Sequence, residues 1–236
     1  MTPQVCENTS IGATKTLTDS RDNSTYTVGK LSDGNCWMIE NLKLDISQPN
    51  SLTPADSDVS NSWPTIAIST PMETVNGTWT TDNTAIFFAK HPVKIYNNGG
   101  SYQDIYGYYY TWCAATAGTC KDVSGNILSS GNAADSICPK GWKLPTSANY
   151  TALYGQWDTA AWSTNGGVNG RWLGAADAAA GGAFWPAAGL IDNDGLNYGN
   201  AFGDYWSSTA SSDSSAYHLH FIDSGVGPAN DNNKYY

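Results

Sequence analysis

The sequence is poor in charge. Only 14 % of its residues are Asp, Glu, Lys or Arg, and acidic residues outnumber basic ones 21 to 11, leaving a net charge of −10. A surface of that sign repels phosphate backbones, so nucleic acid is not an expected partner. Long apolar runs are also missing. None approaches the ~20 residues of a membrane-spanning helix, and Met1 is not followed by a basic-then-apolar leader pattern. Direct membrane insertion by this segment is therefore not expected, and any leader or anchor is expected to lie outside it. The chain stops at "NNKYY", inside what reads as a strand, so both ends read as fragment boundaries. No two cysteines form a C-x-x-C pair, which argues against a zinc ribbon or a thioredoxin-type site. There is no G-x-S-x-G elbow, and with only three histidines few Ser-His-Asp sets can be built.

Aromatic residues with a polar handle are abundant: Trp (10) and Tyr (14) far outnumber Phe (5), which suits rings near surfaces and loops. Ser, Thr, Asn, Gly and Asp dominate the rest. That composition disfavours long helices and predicts a loop-rich α+β domain of short antiparallel strands with one or two short helices. A single domain over residues 1–236 is expected. It comprises an N-terminal hairpin at about 17–44, an irregular insertion at about 45–104, and a helix with C-terminal strands at about 105–236.

Local patterns fill in this outline. Residues 25–30 alternate, "SDGN" (residues 32–35) is a turn, and Cys36, Trp37, Met38 and Ile39 resume as a strand, which predicts a hairpin. The Pro- and Ser-rich insertion carries at most one short element near residues 85–90. Tyr106, Tyr108, Tyr109, Tyr110 and Trp112 form a strand-like aromatic run. Pro145, with Thr146 or Ser147 as cap, opens a helix whose Tyr150, Leu153, Tyr154 and Trp157 share one face over about three turns. A second short helix is expected over residues 174–180. Of the five cysteines, Cys113 with Cys120 would close a tight loop and Cys6 with Cys36 would tether the N-terminal arm, leaving Cys138 over. An acidic, lysine-poor, Thr- and Asn-rich chain fits an exported protein, where disulfides persist.

The motifs "DSRDNSTYTVGKL", "NCWMIENL", "ICPKGWKLPT", "FWPAAG", "DYWSST" and "AYHLHF", in that order, resemble the Fibrobacter succinogenes major paralogous domain. The resemblance implies a C-type-lectin-like fold, in the branch shared with formylglycine-generating enzymes, on secreted or surface-anchored bacterial proteins. It also implies that Cys138 pairs with a cysteine beyond "KYY", and that Asn149 stands where the family usually has an acidic residue. The late cysteine pair of the formylglycine-generating enzymes is absent here, so that activity does not transfer. Related domains serve as variable proteins of diversity-generating retroelements, and "PANDNNKYY" and "YHLH" have the look of such diversified positions.

Trp37, Trp142, Leu153, Trp185, Trp206, Leu219 and Phe221 are the expected apolar centre. The expected function is that of an adhesin-like binding module for a protein or glycan. Its surface residues would be Asp204, Tyr205, Asp213, His218, His220, Asn230, Asp231, Asn233 and Tyr235, since aromatic and Ser/Asn/Asp side chains make adaptable contact surfaces. A polysaccharide-active enzyme and a structural module of a pilus or surface assembly are the alternatives. No catalytic residue is singled out. Asp192, Asp194, Asp204 and Asp223 supply carboxylates without a defined pair. His218 and His220 share a strand face opposite Tyr217, Leu219 and Phe221. They read as displayed side chains rather than a metal pair, because neither Asp223 nor His91 is a clear third ligand. No cofactor is expected. "IDNDG" (residues 191–195) has the look of the opening of a calcium loop, but the downstream bidentate Glu and flanking helices are absent, and a Gly turn in which Asp and Asn cap their own backbone is the simpler reading. "QPN" (residues 48–50) lies in the wrong part of the chain for a lectin calcium site. The four N-x-[ST] matches, at Asn8, Asn23, Asn76 and Asn149, are those expected by chance in so Asn- and Thr-rich a chain.

Overall fold

The N-terminal hairpin forms and gains a strand. β1 (Thr14–Thr18) pairs antiparallel with β2 (Thr25–Lys30), which pairs with β3 (Cys36–Met38). The computed structural model describes residues 4–19, 21–44, 88–90, 105–139, 141–155, 162–175, 180–192 and 195–234. The short helix α1 (Gln4–Glu7) carries Cys6, whose disulfide to Cys36 ties the N-terminal arm to β3 as expected.

The turn between β1 and β2 explains the "DSRDNS" motif. Arg21 folds back so that Nε and Nη2 both donate to the Asp19 carboxylate, with Nη2 to Oδ2 at 2.6 Å. Its Nη1 donates to the carbonyl of Ile137 at 2.7 Å, anchoring the hairpin to the "ICPKGW" segment. Both charges are buried, and the ion pair is tolerable there because all three guanidinium nitrogens donate hydrogen bonds and both Asp19 oxygens accept them.

The central part adds β4 (Phe88–Lys90), paired with β5 (Tyr108–Tyr110). The aromatic run is thus a strand only over those three tyrosines. Trp112 instead opens the single-turn helix α2 (Trp112–Ala115), because Thr111 caps its N-terminus by accepting from the Ala114 N–H. The Cys113–Cys120 disulfide closes the loop that follows. After β6 (Gly131–Asn132) comes α3 (Ser147–Tyr154), two turns long rather than three. Thr146 and Asn149 form a reciprocal capping box, so Asn149 does there what a carboxylate would do. Tyr150 and Leu153 are buried, Tyr154 is exposed, and Trp157 lies outside the described residues. Most of the helix expected over 174–180 also lies outside them.

After α3 the elements among the described residues are all strands: β7 (Trp162–Asn165), β8 (Val168–Leu173) and β9 (Ala183–Pro186) form one meander, and β10 (Leu190–Asp192) and β11 (Gly195–Asn197) a small hairpin. The calcium-loop candidate falls on that hairpin, with Asp192 opposite Gly195; residues 193 and 194 lie outside the described residues. β12 (Gly203–Ala210), β13 (Ser215–Ile222) and β14 (Gly225–Asn233) form a four-stranded sheet with β6, in the order β14-β13-β12-β6.

This last sheet joins two cores. Ala210 and Ala216 pack with Trp112, Cys113 and Ile137, while Leu219 and Phe221 pack with Trp37, Leu153 and Trp185. The described structure is α+β in class, mostly short antiparallel strands with short helices. No described helix is long and apolar enough to cross a membrane.

Candidate functional site

The β12–β13 hairpin places the site. Its register sets Asp204 opposite His220, Tyr205 opposite Leu219, and Trp206 opposite His218. Side chains alternate across a strand, so Asp204, Trp206, His218 and His220 share one face, and Tyr205, Leu219 and Phe221 the other. Beyond Trp206 the register shifts. The small hydroxyls of "SST" serve that irregularity: Ser207 Oγ donates to the Tyr217 carbonyl at 2.7 Å and accepts from the Thr209 N–H. A second shift separates His218 from His220 on the β14 side, where Pro228, which has no ladder N–H to offer, sits on the longer strand segment.

The expectation that His218 is displayed is overturned: it is 3 % exposed. Alternation correctly grouped it with His220, but Trp206 covers that face, its ring edge-on to the imidazole at 5.9 Å. His218 Nε2 lies 3.0 Å from Asp204 Oδ1, and His220 Nδ1 lies 2.8 Å from the same oxygen. Burial opposes charge on Asp204, yet hydrogen bonds from His218 and His220 hold its carboxyl below the usual carboxylate range. Two atoms of this cluster are buried without a partner, Asp204 Oδ2 and His218 Nδ1. The carboxylate that meets both imidazoles is that of Asp204 rather than Asp223. Asp223 is exposed and His91 lies outside the described residues.

The other expected surface residues do not join this cluster. Tyr205 points the other way, with its hydroxyl donating to the Pro186 carbonyl at 2.7 Å and its ring edge-on to Trp185 at 4.9 Å. Asp213, Asn230 and Asp231 are exposed, and Asn233 is half-buried near the end of β14. Tyr235 lies outside the described residues.

Two hollows flank these strands. One, of about 190 Å³, is lined by Asp204, His218, Tyr106, Tyr109, Tyr205 and Trp206 among others. The second, of about 440 Å³, is a groove lined by Trp37, Trp142, Trp185, Tyr150 and Tyr205, with Glu7, Glu40, Asn35 and Asn149 also in its wall. Trp142 was expected in the core but is half-buried here, and Trp206 likewise packs at a core margin. The indole nitrogens of Trp142 and Trp185 are shielded from water and have no acceptor. The sequence reading missed this groove, although the unusual number of tryptophans was its signal. Cys138 lines both hollows without a disulfide partner, and burial pushes its thiol up.

Residues 33–236 match the family described as the Fibrobacter succinogenes major domain, and the chain belongs to that family. No curated protein and no solved structure matches the chain.

Proposed function

We propose that this member of the Fibrobacter succinogenes major domain family is an extracellular, adhesin-like binding module of C-type-lectin-like fold, and that its ligand is a carbohydrate held in the tryptophan-lined groove. The observation that carries this reading is the pair of unpartnered indole N–H groups, on Trp142 and Trp185, in the wall of that groove. A buried donor without an acceptor costs about 1–3 kcal/mol, so such a wall favours a ligand rich in acceptor oxygens. Sugar hydroxyls supply those oxygens, and sugar rings present apolar faces to flat aromatic walls. Trp142 is only half-buried, so a modest ring shift would open its N–H to a ligand. The two disulfides support an oxidising, extracellular setting.

A second reading is favoured by one observation. Glu7 and Glu40 both line the groove, and a pair of carboxylates is what a polysaccharide-cleaving enzyme requires. Screening the domain against an oligosaccharide panel, by calorimetry and by release of reducing ends, separates the two. Binding without cleavage, weakened in Trp142→Ala with the melting temperature retained, is the expected result. Cleavage abolished in Glu40→Gln would establish the enzyme instead. No oligosaccharide binding would overturn the carbohydrate reading and leave the exposed β14 edge as the place for a protein ligand.

A further inference from the structure

We propose that Asp204, His218 and His220 form a binding site for one divalent first-row transition metal ion, with zinc the best match. They are the only three His, Cys, Asp or Glu residues among the described residues whose ligand atoms converge, all lying within 4.8 Å of one another. The atoms are Asp204 Oδ1, His218 Nε2 and His220 Nδ1, two imidazole nitrogens and one carboxylate oxygen. That donor set suits zinc, iron(II) or cobalt(II) and is poor for calcium or magnesium, which prefer oxygen throughout.

The site is built on strands rather than on a loop. Backbone register fixes Asp204 opposite His220, and the adjoining cross-strand pair brings His218 to the same oxygen. Surrounding groups hold the rings. Trp206 donates its indole N–H to the Tyr110 carbonyl at 2.9 Å and so keeps its edge against His218, while Phe202 stands edge-on to His220 at 5.4 Å.

An internal hydrogen-bond cluster alone leaves a fault that an ion repairs. One carboxylate oxygen accepts from both imidazoles while the other, Asp204 Oδ2, is buried with no donor. A cation beside the carboxylate satisfies both oxygens and takes the two nitrogen lone pairs. Three protein ligands leave further positions for an outside molecule, and the adjoining hollow of about 190 Å³, lined by Asp204 and His218, has room for one. Metal binding here does not depend on what the tryptophan groove holds.

The probes are Zn²⁺ and Co²⁺ added to the chelator-stripped chain. Calorimetry should give one tight equivalent of Zn²⁺, and Co²⁺ should give visible absorption with the intensity of a four- or five-coordinate ion. Asp204→Asn, His218→Gln and His220→Gln should each weaken binding by roughly a hundredfold. Should a variant fail to fold, the wild-type chain still decides, because Zn²⁺ must shift the imidazole ¹⁵N resonances of both His218 and His220. Absence of a stoichiometric equivalent, or binding that leaves either imidazole unshifted, would overturn the site.

Discussion

His218 Nε2 lies 3.0 Å from Oδ1 of Asp204, a residue on the neighbouring strand that is not its direct cross-strand partner. The diagonal contact draws a histidine that alternation alone would leave on a strand face into a buried cluster. It also commits Asp204 to the ionised state, with consequences that can be measured.

The first concerns acid. Because the folded-state pKa of Asp204 lies below its ordinary value, the carboxylate contributes stability above about pH 4, and this is lost as pH falls through the folded pKa. The stability difference between the wild-type chain and Asp204→Asn should therefore shrink as pH falls below about 4. Urea denaturation across that range, on metal-free protein, measures it. A difference that does not shrink below about pH 4 would refute the assignment.

A second prediction isolates an indole N–H. Trp142→Phe keeps an aromatic wall but removes a donor that makes no bond in the free protein. Thermal stability should change by less than about 1 kcal/mol, whereas oligosaccharide affinity should fall by roughly fivefold, the equivalent of one hydrogen bond. Equal losses in both would mean that Trp142 acts only by packing.

Arg21 offers a test of the hairpin anchor. Arg21→Met leaves the Asp19 carboxylate buried without its cation and the Ile137 carbonyl without a donor. A loss of about 3–5 kcal/mol is expected. Differential scanning calorimetry reads it directly. Replacing Asp19 and Arg21 together by apolar residues should recover part of the loss, since no unpaired charge then remains.

Gly203 sits directly opposite Phe221, and a Cβ added there would run into the Phe221 ring. Gly203→Ala should cost about 1–3 kcal/mol by overpacking. It should also alter the near-ultraviolet circular dichroism, because the stack of Tyr205 on Phe221 must shift. An unchanged spectrum and melting temperature would show that the strand can move aside at no cost.

Much was legible in the sequence because it is local. The turn residues of "SDGN" fixed one hairpin, Pro145 and Thr146 fixed the start of α3, and cysteine spacing fixed both disulfides. The Asp204–His220 pairing was not legible in this way, since continuing the Ala210–Ala216 register would set Asp204 opposite Ile222, and only the shift between Trp206 and Ala210 brings His220 there. Proximity in sequence points to Asp223, which stays exposed, whereas the carboxylate that meets both imidazoles comes from across the strand.

The sequence by itself determined the composition class, the antiparallel strands and which side chains share a face, since strand periodicity and turn chemistry act over a few residues. Only the tertiary structure decided what covers each face. Trp206 closes over His218, Trp142 leaves the core for the wall of a groove, and Asp204 becomes the common partner of two histidines. Those outcomes depend on register shifts and on packing between segments far apart in the chain, which no local pattern encodes.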